Sequence, residues 1–456
     1  MTDLRRNVPI SPGAVRAAAG AVLELAGADA VEVVVTSSLI GLTRFARSRI
    51  IQNTVRNDVR AYVRVVDGDR VAVAATNQLG SDQMLRAGGR ALEAARATPP
   101  DPDFPGLPSP SRVGQADGIF RWDETTAGAS PARRAEAVQA ILRASGSDNA
   151  AGVFETSAHC YSVINSLGVE CFDAYTRCVT TCLVDDGAAT GWGEASSHAI
   201  EAVDVERAAR TAAGKASRGH DPVEAEPGTY EVILEPAASA MLMEYLSYMG
   251  MGAKQVVDGE SFLASRSGER VASDEITVAD DVFDDHSVGI GFDLEGVPKK
   301  AVTVIDHGRA VGPVTDLRTA PKLGLAPTGH YSGSSEFGPY ASNVVLRPGD
   351  ESPEELMAGV DDGFLITRFH YVNVLDRPST LLTGMTRDGI FRIRGGEIAE
   401  PVNNFRFSQS VLEALGATSA VGNDATAFAP DYGSFGSNVA PSLRVGAFNF
   451  ASTTTH

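Results

Sequence analysis

The chain contains 456 residues, of which 43% are hydrophobic and 21% are charged, a composition that is ordinary for a globular protein of two or three domains. Its 58 acidic residues outnumber the 39 Lys and Arg, and the net charge of −19 disfavours binding to nucleic acid or to an anionic membrane. No run of about 20 uncharged apolar residues predicts a membrane helix, and the first residues lack the apolar stretch of a signal peptide. We therefore expect a cytoplasmic protein that binds neither nucleic acid nor membrane.

The first half of the sequence predicts helices packed on antiparallel strands. Ser11 and Ser130 each precede a proline, and Ser81 precedes another amphipathic segment, which is a pattern typical of helix starts. An Asp-Gly pair at 67–68 predicts a hairpin turn, whereas six prolines within 98–113 predict an extended loop. We expect helices at 11–26, 81–97, 131–145 and 203–217, and strands at 31–36, 39–45, 58–66, 70–75, 153–164 and 169–183.

The polar segment 220–228 is the expected boundary between two domains, 1–226 and 227–456. After it, a short β-branched run leads into a long helix that is apolar nearly all round except at Glu244. Recurring glycines and alternation such as that at 302–305 predict a β-rich domain beyond the helix. The predicted fold class is α+β, with an N-terminal α/β domain whose helices lie on antiparallel strands. A β-rich C-terminal domain, a distorted barrel or sandwich, would follow and contain the long apolar helix.

Four cysteines, Cys160, Cys171, Cys178 and Cys182, lie close together in the sequence. The β-branched residues around Cys178 and Cys182 favour a strand, on which residues four apart are separated by about 13 Å. That separation is too long for a disulfide or for two ligands of one metal ion. We therefore predict four structural thiols.

The single acid of the apolar helix has informative neighbours. Met243 precedes Glu244, and Tyr248 follows it four residues later. This spacing resembles the HExxxH motif of the TldD/PmbA family of paired bacterial proteases, in whose catalytic subunit two histidines hold Zn²⁺ and the glutamate is the base. Zinc in proteins binds Cys, His, Asp or Glu, so Met243 and Tyr248 cannot act as the histidines do. The resemblance therefore implies a member of the metal-free type.

The resemblance to this family extends over nearly the whole chain. Known members work as a heteromeric pair: the TldD-type subunit carries zinc, and the PmbA-type subunit, also called TldE, lacks zinc but is needed for activity. The pair trims or degrades small unfolded peptides. Segments similar to those of the family occur at 27–35, 72–79, 165–168, 268–281, 292–300, 328–330 and 341–367.

The catalytic subunit of the family also supplies a Cys ligand from a Gly-rich segment near its C-terminus. The corresponding segment in this chain begins at Ser434, runs through 434–448, and contains neither Cys nor His. None of the eight histidines belongs to an HxH, HxxxH or HExxH motif. The resemblance therefore implies no catalytic residue, no metal site and no cofactor in this chain, with zinc in the partner subunit.

Four residues are candidates for lining a peptide cleft, namely Glu244, Tyr248, His330 and Asn343. Glu244 either lines a vestigial cleft and hydrogen-bonds Tyr248, or lies where the helix meets solvent or a partner and has no chemical task. Without a metal ion, one glutamate has no means of polarising an amide carbonyl. The methionines of the same segment either form a pliable peptide-binding wall or fill the core. They are Met241, Met243, Met249 and Met251.

Three functions are compatible with these observations. The resemblance favours a non-catalytic, TldE-type subunit of a cytoplasmic zinc metalloprotease, which pairs with a TldD-type HExxxH subunit or also with a copy of itself and acts on small unfolded peptides. A second hypothesis is a self-sufficient hydrolase or transferase on the same scaffold, in a specialised biosynthetic pathway. A third is a peptide-binding scaffold protein without a protease partner.

Overall fold

The computed structural model describes residues 8–264, 266–431 and 435–454. Ser434, where the C-terminal segment noted in the sequence begins, lies outside the described residues. The fold is α+β, as predicted, with an N-terminal antiparallel sheet followed by a β-rich region that contains a closed five-stranded barrel. In the part of the chain that the structure describes, no helix combines the length and apolarity needed to span a membrane.

The N-terminal half is built on one six-stranded antiparallel sheet. In chain order its elements are α1 (Pro12–Gly20), β1 (Ala30–Ala46), β2 (Arg49–Asp67), β3 (Arg70–Thr76), α2 (Ser81–Ala97), α3 (Pro110–Val113), α4 (Glu124–Ala127), α5 (Pro131–Ser145), β4 (Ala150–Asn165), β5 (Glu170–Asp185), β6 (Thr190–Ser197) and α6 (Val205–Arg218). The strand order is β3-β2-β1-β4-β5-β6. Helices α1 and α2 bury their apolar faces with β1 and β2, while α5 and α6 do so with β4 and β5.

Side-chain caps fix two helix starts where the sequence predicts them. Ser11 Oγ accepts a hydrogen bond from the N–H of Ala14 (3.2 Å), and Ser130 Oγ accepts one from the N–H of Arg133 (3.1 Å). Ser81, by contrast, is the first residue of α2, and the preceding glycine holds the cap position without a side-chain bond. Helix starts are thus well predicted because a cap is a local interaction.

Two strands are much longer than the sequence predicts, and the first is β2, because the strand expected at 58–66 extends over Arg49–Asp67. The second is β1, because the segments expected at 31–36 and 39–45 form the single strand Ala30–Ala46. The polar residues between them, Ser37 and Ser38, favour a break in the strand. In the structure, however, Ser37 is buried in the sheet, and its Oγ donates a hydrogen bond to the carbonyl of Asp58 (3.0 Å). A hydroxyl that finds a backbone acceptor on the next strand does not interrupt the ladder.

The prediction from the sequence did not include strand β6, and it made the first helix too long. Helix α1 ends at Gly20, because glycine is a weak helix former and a turn follows it. Gly191 and Gly193 make β6 look like a loop, yet α6 lies directly against them. A Cβ at Gly191 would stand 2.1 Å from the carbonyl oxygen of Ala212, and one at Gly193 would stand 1.9 Å from that of Ala208. These glycines therefore allow a helix to approach the strand closely.

The C-terminal half contains the barrel and a second sheet. Its elements are β7 (Gly228–Leu234), α7 (Pro236–Gly250), α8 (Ala253–Val257), β8 (Val278–Asp280), β9 (Val302–Asp306), β10 (Arg309–Ala310), β11 (Asn343–Leu346), α9 (Pro353–Ala358), β12 (Asp362–Asp376), β13 (Leu381–Arg394), β14 (Glu397–Pro401), β15 (Phe405–Ser410), α10 (Val411–Gly416), β16 (Thr418–Val421), β17 (Thr426–Phe428), β18 (Ser437–Ala440) and β19 (Leu443–Thr453). The barrel runs β12-β7-β19-β15-β13 and closes through pairing of β13 with β12. The second sheet has the order β10-β9-β8-β11-β18-β17.

Helix α7 lies between the barrel and the second sheet. It contacts β7 and β12 of the barrel as well as β11, β17 and β18 of the sheet. Its surface is therefore largely covered, and Met243 and Met249 are fully buried in the main core of this half. Met251, just beyond the helix, is buried there as well, and Met241 packs against the same core. The methionines fill the core and do not form an open peptide-binding wall.

The two halves meet along an apolar seam supported by a buried carboxylate. Side chains from β1, β4 and β5 form one cluster with Val288, Ile290 and Phe292 of the C-terminal half. Asp173 on β5 accepts a hydrogen bond from the N–H of Gly291 across this seam (2.9 Å). The seam places β4 beside the loops that follow β8, and a pocket lies there.

Candidate functional site

Glu244 lies in the middle of α7 and is held inside the protein. Only 6% of it is exposed, so the hypothesis that it meets solvent is wrong. Its Oε2 accepts hydrogen bonds from the backbone N–H of Asp431 (3.1 Å) and from the side-chain amide of Asn438 (3.0 Å). Asn438 belongs to β18, the strand that lies along the helix. The carboxylate thus links α7 to the second sheet.

The two residues that flank this acid at the HExxxH positions point in different directions. Met243 and Tyr248 are five residues apart, which on an α-helix corresponds to a rotation of roughly 140°. Met243 is fully buried in the core, whereas Tyr248 is 38% exposed. The Tyr248 hydroxyl accepts a hydrogen bond from Arg377 (3.0 Å), and its ring stacks on Phe337. These positions do not converge on a common point.

Zinc does not fit this site. A thioether and a neutral phenol are not zinc ligands in proteins, and the intervening carboxylate is already hydrogen-bonded. Among the residues with a described placement, no group of three or more His, Cys, Asp or Glu side chains is arranged to hold a metal ion. The C-terminal segment adds no donor, since 434–448 contains neither Cys nor His. We therefore derive no chemistry from a metal in this chain.

His330 and Asn343 come together in a buried polar network centred on Asp280. Asp280 Oδ1 is 2.9 Å from His330 Nε2, and its Oδ2 accepts the backbone N–H of Asn343 (2.8 Å). The other ring nitrogen of His330 is 2.9 Å from the hydroxyl of Thr328. Two of the four cleft candidates are therefore neighbours, but their principal role is to satisfy one buried carboxylate.

Lys299 is the cation of this network, and no sequence motif singled it out. Its Nζ donates to Ser342 Oγ (2.8 Å) and to Asn343 Oδ1 (3.3 Å). The residue is only 6% exposed. Burial lowers the pKa of Lys299, although the charges of Asp280 and Asp293 oppose that shift. Burial alone would raise the pKa of Asp280, yet Lys299 and the His330 bond hold it below its usual value.

Tyr340 connects this network to Glu244. Its backbone N–H donates to the carbonyl of His330 (2.9 Å). Burial, and to a smaller extent the negative charge of Glu244, raises the pKa of the Tyr340 hydroxyl to about 12. Tyr340 thus lies between the acid of α7 and the Asp280 network, and the three form one continuous polar region. Tyr248 lies at the surface and reaches this region through Phe337, whose ring centroid is 6.2 Å from that of Tyr248 and 5.5 Å from that of Tyr340.

All four cysteines are buried free thiols, as predicted, and they lie on β4 and β5. Burial raises the pKa of Cys160, Cys171 and Cys182 to about 12, and that of Cys178 still further. Thiols with such values carry almost no thiolate near neutral pH and are poor nucleophiles and metal ligands. Their role is packing in the N-terminal sheet.

Comparison with known proteins assigns a family to this arrangement. Residues 227–452 match the model described as the PmbA/TldA metallopeptidase C-terminal domain. The C-terminal half of the chain belongs to the TldD/PmbA family. This match covers the barrel, the second sheet and α7, and therefore every residue of the polar region around Glu244 and Asp280.

Individual relatives agree with this family. A protein named Metalloprotease from Methanothermobacter thermautotrophicus is 29% identical over 227 residues, which cover 49% of this chain and 50% of the relative. A zinc metalloprotease TldD homolog from Saccharolobus solfataricus is 26% identical over 43% of this chain and 44% of its own length. The matched region therefore spans about half the length of these curated relatives or less.

A solved structure shows that the shared fold reaches beyond the matched half. The crystal structure of TldE from Thermococcus kodakarensis superposes with a TM-score of 0.82 and covers 93% of this chain and 97% of that chain. The sequence identity is 21%, so this likeness concerns the fold. The N-terminal sheet and the C-terminal barrel thus occur together in a protein of the same architecture.

Proposed function

We propose that this chain is the non-catalytic, metal-free subunit of a heteromeric zinc metalloprotease that acts on small unfolded peptides. The observation that carries the proposal is the geometry at Glu244 on α7. The position that resembles a metal-binding helix offers a thioether in the core, a phenol on the surface and a carboxylate hydrogen-bonded to Asp431 and Asn438. The thioether and the phenol are not zinc ligands, and a single hydrogen-bonded carboxylate neither forms a zinc site nor polarises an amide carbonyl by itself.

The proposed partner is a TldD-type chain that carries an intact HExxxH motif and supplies the zinc. Membership of the family and the metalloprotease names of the relatives support this choice of partner. The chain would shape the shared cleft and admit extended peptides, which bind well as added strands because backbone hydrogen bonds do not depend on sequence. A net charge of −19 disfavours DNA as the substrate. The proposed location is the cytoplasm.

The proposal is tested by purifying the chain alone and then with a TldD-type partner. We expect no stoichiometric zinc in the isolated chain, no cleavage of an unfolded peptide by it, and cleavage by the mixture. The control is a mixture in which the glutamate of the partner's HExxxH motif is replaced by glutamine, which should be inactive. Peptide cleavage by the isolated, chelator-treated chain would contradict the proposal and support a self-sufficient hydrolase.

A further inference from the structure

A pocket of about 250 Å³ lies on the seam between the two halves, next to the Asp280 network. Its walls are mostly aromatic and aliphatic, and Tyr161 of β4 and Phe435 meet edge to face within it, with ring centroids 5.3 Å apart. The remaining wall residues include Leu294, Tyr331 and Tyr340. Sites for drug-sized ligands usually have volumes of about 300–1,000 Å³, so this pocket suits a group the size of one amino-acid residue.

Lys299 places a buried amine in this pocket. Two of its hydrogens are donated to Ser342 and Asn343, and its Nζ lies 5.4 Å from the centre of the Phe435 ring. An ammonium group has three hydrogens to donate. The described residues provide no further hydrogen-bond acceptor for Lys299. A ligand in the pocket can therefore complete its hydrogen bonding.

The carboxylates near Lys299 are already satisfied by other donors. Asp280 is bonded by His330 and by the N–H of Asn343. Asp293, which also lines the pocket, accepts three backbone N–H groups, from Glu295, Val297 and Tyr331. Burial raises the pKa of Asp293 to about 7 despite these three hydrogen bonds. The lysine is thus the group that a charged ligand would address.

We propose that this pocket binds the C-terminal residue of a peptide, with the α-carboxylate against Lys299 and an apolar side chain among the aromatic rings. The ligand chemistry that fits this pocket is an apolar group bearing one carboxylate. The C-terminal residue of a peptide and a free small carboxylic acid both have this chemistry. The wall residues Tyr340 and Ser342 flank Ala341, whose carbonyl accepts a hydrogen bond from Ser247 of α7 (2.6 Å), so the pocket lies beside that helix. The choice of a peptide as the source rests on the proposed function.

The test is calorimetric titration of the full chain with three compounds. These are the tripeptide Ala-Ala-Phe, its C-terminal amide and 3-phenylpropanoate. Because a charge-assisted hydrogen bond is lost, we expect the amide to bind about tenfold more weakly than the free tripeptide. We also expect phenylpropanoate to bind more weakly than the tripeptide. Equal affinity for acid and amide would overturn the carboxylate assignment, and tighter binding of phenylpropanoate would overturn the peptide as its source.

Two neighbouring lysines provide a matched pair of variants. Lys299→Met should abolish the preference for the free carboxylate, whereas Lys300→Met, at an exposed lysine that bonds the carbonyl of Pro327, should retain it. If Lys299→Met does not fold, Ser332→Trp fills the pocket from a partly exposed wall position and should weaken binding of all three compounds. A preference that survives both Lys299→Met and Ser332→Trp would refute the site.

The outcome is independent of the protease assay. One outcome is that the chain shows no preference for the free acid while its mixture with a TldD-type partner still cleaves peptides. That result would refute the pocket as a binding site and leave the proposed function intact. Acid-selective binding in a chain that supports no cleavage would retain the pocket and remove the proposed function.

Discussion

A carboxylate buried without a metal ion needs hydrogen-bond donors, because desolvation penalises its charge. Glu244 obtains them from the Asp431 backbone and from Asn438, which belong to segments far away in the sequence. The acid that looks like a catalytic base in the sequence is therefore a cross-link between a helix and a sheet. We propose that its contribution belongs to folding stability and not to bond cleavage.

Glu244→Gln separates these two roles. Glutamine keeps the shape but replaces one acceptor oxygen by an NH₂ group, so a buried donor is left poorly matched. We expect the free energy of unfolding in urea to fall by about 1–3 kcal/mol. The peptidase activity of the mixture with a TldD-type partner should change by less than about threefold, because no reacting group is lost.

The control for this prediction is Glu24→Gln, at an exposed glutamate of the N-terminal half, which should leave both quantities unchanged. A loss of activity of about a hundredfold or more in Glu244→Gln without a loss of stability would identify Glu244 as a catalytic base. That result would favour the self-sufficient hydrolase.

At the scale of elements, the regular course of α7 in this chain holds the two positions that flank Glu244 apart. Residues 243 and 248 lie on faces of the helix roughly 140° apart, one in the core and one at the surface. Two imidazoles placed there would not reach the same ion while the helix stays regular. Helix α7 of this chain therefore lacks zinc ligands at positions 243 and 248, and its geometry does not bring these two side chains to one ion.

The double variant Met243→His/Tyr248→His tests this geometry. We expect no stoichiometric zinc after dialysis, measured by elemental analysis. The free energy of unfolding should fall by about 2–4 kcal/mol, because Met243 is fully buried and an imidazole there lacks partners. Tyr248→His alone changes a partly exposed side chain and should cost much less. One retained equivalent of zinc in the double variant would show that the helix rearranges to form a site.

Local patterns account for the elements that the sequence predicted correctly. Caps at Ser11 and Ser130 depend on residues three positions away, and the β-branched residues around Cys178 and Cys182 that predict β5 are read directly from the chain. The closure of the barrel by β12 and β13 and the close approach of α6 to Gly191 depend on distant segments. A single sequence carries no direct signal for such contacts.

The same distinction applies to the site. Glu244 stood out because it is the only acid in an apolar helix, and that is a local contrast. Lys299 and Asp280 did not stand out, because each is an ordinary residue in a turn-rich region or short strand. Their importance arises from contacts with His330 and Asn343, which lie between 44 and 63 residues away in the sequence. Only the folded arrangement makes them a cluster.

At the scale of the whole molecule, the seam between the halves contains more buried acid than base. Arg64 of β2 pairs with Glu32 of β1 (2.9 Å) and approaches Glu295 of the C-terminal half (3.9 Å). The charges of Asp293 and Asp316 also act on the carboxyl group of Glu295. Burial, and then the charge of Asp293, raises the pKa of Glu295 well above its usual value despite Arg64.

This excess of acid predicts that the seam weakens as pH rises. A carboxyl group whose folded pKa lies above the unfolded value binds more protons when folded. The free energy of unfolding therefore falls between the two pKa values, by about 1.4 kcal/mol per pH unit for one group. For Glu295 this window begins near the unfolded value of 4.5 and extends upward.

Glu295→Gln removes this titration while it retains the shape of the protonated acid. We expect the variant and the parent to have similar free energies of unfolding in urea at pH 5. The variant should become progressively more stable than the parent from pH 5 to pH 8, because only the parent has a Glu295 proton to lose. Glu93→Gln, at an exposed glutamate on α2, serves as the control and should give a difference that does not vary with pH. If the difference in free energy of unfolding between Glu295→Gln and the parent also stayed constant from pH 5 to pH 8, Glu295 would be ionised throughout. The seam would then be stabilised by the ion pair of Glu295 with Arg64 and not by a neutral acid.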